Sequence, residues 1–142
     1  MSKTIKEMYN EEFVDKPDTS LLKHYNSILN KTPDELTIDD VCMLVRQEFF
    51  LDICVPKAIE ILKQDHSAGD NYDYSLLVNL SNVESSLIEY KEKISDLINV
   101  LENDYKSITF ELESDEQDYL ESIERLKEKI KYKHWAISKH TF

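Results

Sequence analysis

The chain has 142 residues, enough for one domain with a buried core, and its single glycine and three prolines supply too little turn chemistry for an all-β fold. A formal net charge of −12 argues against direct binding to nucleic acid phosphates or anionic lipid and favours a basic partner. No apolar run approaches the ~20 residues of a membrane span, and the opening MSKTIKEMYNEEF has no signal core, so the expected location is the cytoplasm.

In chain order, Ile5, Met8, Tyr9 and Phe13 have the spacing of a loosely packed helical segment, which Pro17 ends. Asp18 stands at an N-cap position ahead of Leu21, Leu22, Tyr25, Ile28 and Leu29, predicting a helix over about 18–30. Thr37 is the next expected N-cap. It precedes a helix over about 38–49 with Ile38, Val41, Leu44 and Val45 on its face, and Asp39 and Asp40 suit the positive end of its dipole. Proline is tolerated in a first turn, so Pro56 predicts a new helix from about Asp52 to Gln64, with Leu51, Val55, Ala58, Ile61 and Leu62 inward. The break between Phe49 and Asp52 makes the pair an αα-corner.

Asp65 to Asp73 reads as a polar loop, and Tyr74, Leu76, Leu77 and Leu80 as a short helix. Ser81-x-x-Glu84 has the form of a capping box. From there Val83, Leu87, Tyr90, Ile94, Leu97 and Leu101 are spaced four, three, four, three and four, a heptad seam that Tyr105 and Ile108 extend. Ser114-x-x-Gln117 is a second box, opening a helix that carries Tyr119, Ile123, Leu126, Ile130 and then His134 and Ile137 inward. Two long helices with a short connection fold back on each other, and the joining Ile108–Leu112 is read as loop. The expected fold is all-α: one domain over 1–142, with an αα-corner and a long C-terminal antiparallel helical hairpin over about 81–139.

No catalytic constellation emerges. His66, Asp70 and Asp73 invite a metal, but Gly69 precedes the acids, against the calcium-loop order, and no helical i, i+4 ligand pair completes a zinc set. Cys42 and Cys54 lie in apolar surroundings and read as buried thiols, although Arg46 stands four residues from Cys42. His24, His66, His134 and His140 show no metalloprotease spacing, Tyr132 and Trp135 read as packing residues, and one glycine builds no phosphate loop. Neither a metal nor a cofactor is expected, and the chain is read as a non-enzyme.

Charge is the stronger signal. Glu102, Asp104, Glu111, Glu113, Asp115, Glu116, Asp118 and Glu121 face only Lys106. Beyond them Arg125, Lys127, Lys129, Lys131, Lys133 and Lys139 outnumber Glu124 and Glu128. Acids at a helix start are locally stabilising, which explains part of this. Carboxylates along a rigid hairpin can also occupy the phosphate sites of a basic groove. Glu111, Glu113, Asp115, Glu116 and Asp118 are therefore the first candidate contacts, and Asp70, Tyr72 and Tyr74 form a second patch, since exposed tyrosines serve as interface anchors. The competing reading is a helical adaptor that dimerises through the heptad seam over 83–108. A monomer is favoured when the protein is free.

The stretch Leu36–Leu77 resembles the contact-dependent growth inhibition (CDI) immunity protein family. The residues that carry the likeness are Leu36, Thr37, Asp40, Leu44, Gln47, Pro56, Ala58, Leu62, Gly69, Asp70, Tyr72, Leu76 and Leu77, with Leu22 and Tyr25 upstream and the family-like part over about 18–80. Tyr74-Ser75 stands where such proteins carry a second Gly-Asp, and the hairpin from Ser81 has no counterpart. The resemblance implies a cytoplasmic antidote that binds one-to-one the C-terminal toxin domain of an exported protein delivered by a neighbouring cell. Many such toxins are nucleases, often acting on transfer RNA, and their substrate grooves are basic.

Overall fold

The computed structural model describes residues 3–84 and 86–140, with side chains as far as 130. The described residues form seven α-helices and no strand: α1 (Ile5–Tyr9), α2 (Ser20–Leu29), α3 (Ile38–Gln47), α4 (Leu51–Gln64), α5 (Ser75–Ser81), α6 (Lys91–Tyr105) and α7 (Glu113–His140). Short 3-10 turns lie at Pro33–Glu35 and Leu87–Tyr90. The all-α expectation holds. The chain divides into two compact units, Met1–Asp40 and Val41–Phe142.

In the first unit, local caps do most of the ordering. Thr4 and Glu7 form a reciprocal capping box on α1, and Thr32 and Glu35 form another on the 3-10 turn. Thr19, one residue after the expected Asp18, caps α2 by accepting from Leu22 N–H. Only Ile5–Tyr9 of the first segment is helical, so Phe13 lies beyond it and is exposed. The Ile5 N–H donates to the Lys31 carbonyl at 2.8 Å, and the Asn26 amide clamps both the N–H and C=O of Val14.

Asp40 is the buried polar centre of this unit, its side chain 4% exposed. The Lys31 ammonium reaches Oδ2 at 2.6 Å, the Thr37 N–H donates to the same oxygen at 3.0 Å, and His24 Nε2 donates to Oδ1 at 2.7 Å. Thr37 Oγ1 in turn accepts from the Asp40 N–H, so the predicted cap is a reciprocal box. Burial works to raise the Asp40 pKa, but the bonds from Lys31, Thr37 and His24 outweigh it and hold the carboxyl below its usual range.

The second unit is built on a ring of helices, with α4 packed on α5 and α6, and α7 packed on the same two. Val41, Cys42, Met43, Leu44 and Val45 are all buried, so α3 is apolar all round here rather than one-faced, while Ile38 is exposed. α3 ends at Gln47, two residues early, because Glu48 takes a left-handed conformation at φ 57°. Glu48 N–H then bonds the Val45 carbonyl and Phe49 N–H the Leu44 carbonyl, a Schellman ending with glutamate in the glycine position. Phe50, also left-handed, turns the chain into α4. Pro56 is the sixth residue of α4, not in its first turn as expected, so the helix forgoes one hydrogen bond there. α4 buries Cys54, Val55, Ala58, Ile59 and Leu62, while Leu51 and Ile61 are only half-buried. Burial pushes the Cys54 thiol up to about 12, and neither cysteine forms a disulfide.

The C-terminal part differs from its heptad reading. Ser81 is the last residue of α5, not an N-cap, and its hydroxyl donates to the Val78 carbonyl. The long helix starts only at Lys91, so the seam does not run along one rod. Val83, Leu87, Ile94, Leu97 and Leu101 are nonetheless 0–2% exposed, consumed by the chain's own core. These five seam positions therefore pack inside the chain itself. Ser114 lies inside α7, which begins at Glu113, so the second capping box is also absent. α6 and α7 do form the antiparallel hairpin, tied by Lys127–Glu102 at 2.8 Å, and the joining segment is loop. Tyr132, His134, Trp135, Ile137, His140 and Lys131, Lys133 and Lys139 lie outside the described side chains.

Because the Asp40 pKa is depressed in the folded state, its contribution is complete above its unfolded value of about 3.8 and is lost as pH falls through the lower folded value. Asp40→Asn is expected to cost about 2 kcal/mol at neutral pH. Urea melts should show the gap from wild type closing as the pH is lowered below about 4.

Candidate functional site

A concave feature of the described residues lies wholly within the second unit. It is a cleft of 580 Å³ between the α4–α5 loop and the tip of the α6–α7 hairpin. Gln64, His66, Ser67, Asp73 and Tyr74 line one side; Asp104, Ser107, Ile108, Thr109, Glu111 and Asp115 line the other. Among these residues His66 alone can carry positive charge, against four carboxylates.

Local bonding shapes the loop wall. Asp65 Oδ1 accepts from Ser67 N–H and Oγ, turning the chain out of α4. Tyr74 N–H returns to the Ser67 carbonyl and Leu76 N–H to the Ala68 carbonyl, so the loop closes on itself. Gly69 is required by space: a Cβ there would run into Ser75 Oγ and the Tyr72 carbonyl. Asp70 is held by a fork from Arg46, with Nη1 and Nη2 each 3.1 Å from Oδ2, while Oδ1 accepts from Asn71 N–H and Ser75 Oγ.

An aromatic cluster joins the two walls. Tyr119 of α7 is fully buried and meets His66, Tyr74, Tyr105 and Phe110 with ring centroids 5.5–6.1 Å apart. Its hydroxyl donates to the Leu101 carbonyl at 2.5 Å. Burial, then the charge of Asp104, pushes this phenol well above the usual tyrosine range. His66 stacks on Tyr74 and lies 4.0 Å from the Asp104 carboxylate.

Some of the candidate contacts from the loop and from the hairpin tip are therefore brought together. Glu111 and Asp115 share the cleft with Tyr74. Asp118, three residues after Asp115 and so on the same side of α7, is joined to the loop through Tyr72, whose phenol is pushed upward by burial and by the charges of Asp118 and Asp70. Two of the candidates are different from expected. Tyr74 is 7% exposed and belongs to the aromatic cluster, because its left-handed backbone turns the ring inward with α5. Asp70 spends its oxygens on the loop and Arg46. Tyr72, half exposed, is the tyrosine at the surface. Glu113 is exposed, and Glu116 accepts from the Tyr105 hydroxyl at 2.5 Å. Asp73, Asp104 and His66 were not among the expected contacts; they are brought in by the aromatic cluster of Tyr74, Tyr105, Phe110 and Tyr119, whose grouping the sequence alone does not show.

Among the described residues no group of three or more His, Cys, Asp or Glu side chains is placed to hold a metal. No described helix is long and apolar enough to cross a membrane. A family model of CDI immunity proteins matches residues 7–98. The chain belongs to the CDI immunity protein family. It is thus a toxin-neutralising immunity protein whose partner is a cognate toxin. No individual curated protein matches it. The family match reaches beyond 18–80 on both sides, from the end of α1 to the first half of α6.

The residues that carry the family likeness are mostly internal fittings. Thr37 and Asp40 form the box on α3, Gly69 admits the loop closure and Asp70 clamps it. Leu44, Ala58, Leu62, Leu76 and Leu77 are buried. Tyr72 and Gln47 are the exceptions, exposed at the surface.

Tyr119→Phe removes one buried hydrogen bond and is expected to cost about 1 kcal/mol at neutral pH. Tyr119→Ala also empties the centre of the cluster and is expected to cost about 3–5 kcal/mol. The raised phenol pKa gives stability that is complete below the unfolded value of 10.0 and is lost as pH rises above it. Alkaline urea melts should show a shallower decline for Tyr119→Phe than for wild type.

Proposed function

We propose that this immunity protein neutralises its toxin by laying the acidic face of the hairpin tip and the α4–α5 loop against a basic surface of the toxin domain. The supporting observation is the joint cleft, where Asp73, Asp104, Glu111 and Asp115 converge with only His66 to offset them. In a concave, partly desolvated site carboxylates attract lysine and arginine more strongly than on an open surface. A groove shaped for nucleic acid phosphates has that chemistry, so the toxin is read as a nuclease, often one acting on RNA, whose substrate groove is covered in a one-to-one complex. Glu111, Asp115 and Asp118 are the principal contacts, with Tyr72 as the aromatic anchor and Glu113 and Glu116 at the rim. Tyr74 and Asp70 hold the loop in position behind them. On this reading the protein acts stoichiometrically in the cytoplasm, without catalysis, and is a monomer when free.

Co-expression with the toxin domain encoded immediately upstream, with a tag on the toxin alone, should yield a stoichiometric complex and surviving cells. The double variant Glu111→Lys/Asp115→Lys should lose about tenfold or more in affinity, with unchanged thermal unfolding and a weaker salt dependence. Affinity equal to wild type would remove the tip from the interface. Survival without a complex would replace inhibition by repair of the damage.

A further inference from the structure

The family match ends at Ile98, and the cleft is made from both sides of that limit. The loop wall, residues 64–74, falls inside the match; the tip wall, residues 104–115, falls wholly outside it. We propose that the tip wall decides which toxin this immunity protein accepts, while the loop wall is the common seat on which a toxin of the family's kind rests. The proposal rests on the reading that the toxin binds this face.

The two walls differ physically in the way this division requires. The loop wall is over-determined. Asp65 accepts from Ser67, Asp70 and Ser75 are bonded to each other, Gly69 leaves no room for a Cβ, and Tyr74 is locked in the aromatic cluster, so substitutions there disturb the fold before they retune a surface. The tip wall is held from behind, by Phe110 and Tyr105 packing on Tyr119 and by the Leu112 carbonyl accepting from Asp115 and Glu116 N–H. Its outward side chains are not part of that packing. Thr109 and Glu111 are exposed, and Leu112 at 59% is the most exposed large apolar side chain described. Leu112 stands between Glu111 and Glu113 in the chain, an exposed apolar side chain flanked by two acids. Its partner is accordingly a toxin surface with an apolar depression edged by lysine or arginine. Shape and apolar fit at such a side chain discriminate between toxins, whereas charge alone attracts any basic one.

The test uses the full-length protein, its own toxin domain, and a second toxin domain taken from another CDI pair. Leu112→Ser and Thr109→Arg are compared with Gln64→Ala and Ser67→Ala on the loop wall. The tip variants should lose about tenfold or more in affinity for the cognate toxin, keep wild-type thermal unfolding, and narrow the preference over the second toxin; the loop-wall variants should weaken both toxins by similar factors. Tip variants that bind within about threefold of wild type, or that weaken both toxins equally, overturn the proposal. A wild-type protein that binds neither toxin overturns the immunity reading itself, and a wild-type complex unaffected by either set moves the interface elsewhere on the protein.

Discussion

The second unit depends on Tyr119. A buried phenol must find an acceptor, and this one finds the Leu101 carbonyl across the hairpin, which sets the register of α7 against α6. The same ring meets His66 and Tyr74 from the α4–α5 loop and Tyr105 and Phe110 from the hairpin tip. One side chain therefore fixes the separation of the two cleft walls. The acids can stand close together because the aromatic floor behind them supplies the packing energy that offsets their mutual repulsion.

Asp40 plays the corresponding part in the first unit. Its oxygens are shared among Lys31, Thr37 and His24, and a buried carboxylate with that many donors stays ionised. The two centres share one feature: each buried polar side chain has its hydrogen-bond partners in place. Asp40 and Thr37 lie within the residues that match the CDI immunity family, whereas Tyr119 lies beyond them. The surface that meets the toxin is a separate matter, and the tip wall lies beyond the matched residues.

Much of the fold was legible in periodicity. α2, α3, α4 and the hairpin stand close to where apolar spacing puts them, because burial of a helical face is a strong signal. The departures have local causes. Glu48 and Phe50 adopt left-handed conformations that residue type did not announce, which shortens α3 and moves Pro56 deeper into α4. Val83 and Leu87 keep a heptad spacing without a continuous helix, since tertiary packing buries them from a turn and a 3-10 segment. For the site, the acids at 111, 115 and 118 were visible as a charge run, but their meeting with the loop at 66–74 was not. That contact is made by Tyr119, and one sequence does not show which aromatic residues share a cluster.

The central claim is that the toxin covers the face made by the loop and the hairpin tip. Hydrogen–deuterium exchange of the protein alone and in complex with its toxin tests this directly. The account predicts that binding slows exchange of backbone amides over 64–74 and 104–118, with little change over α2. Protection concentrated in α1 and α2, with the tip exchanging as in the free protein, would contradict it.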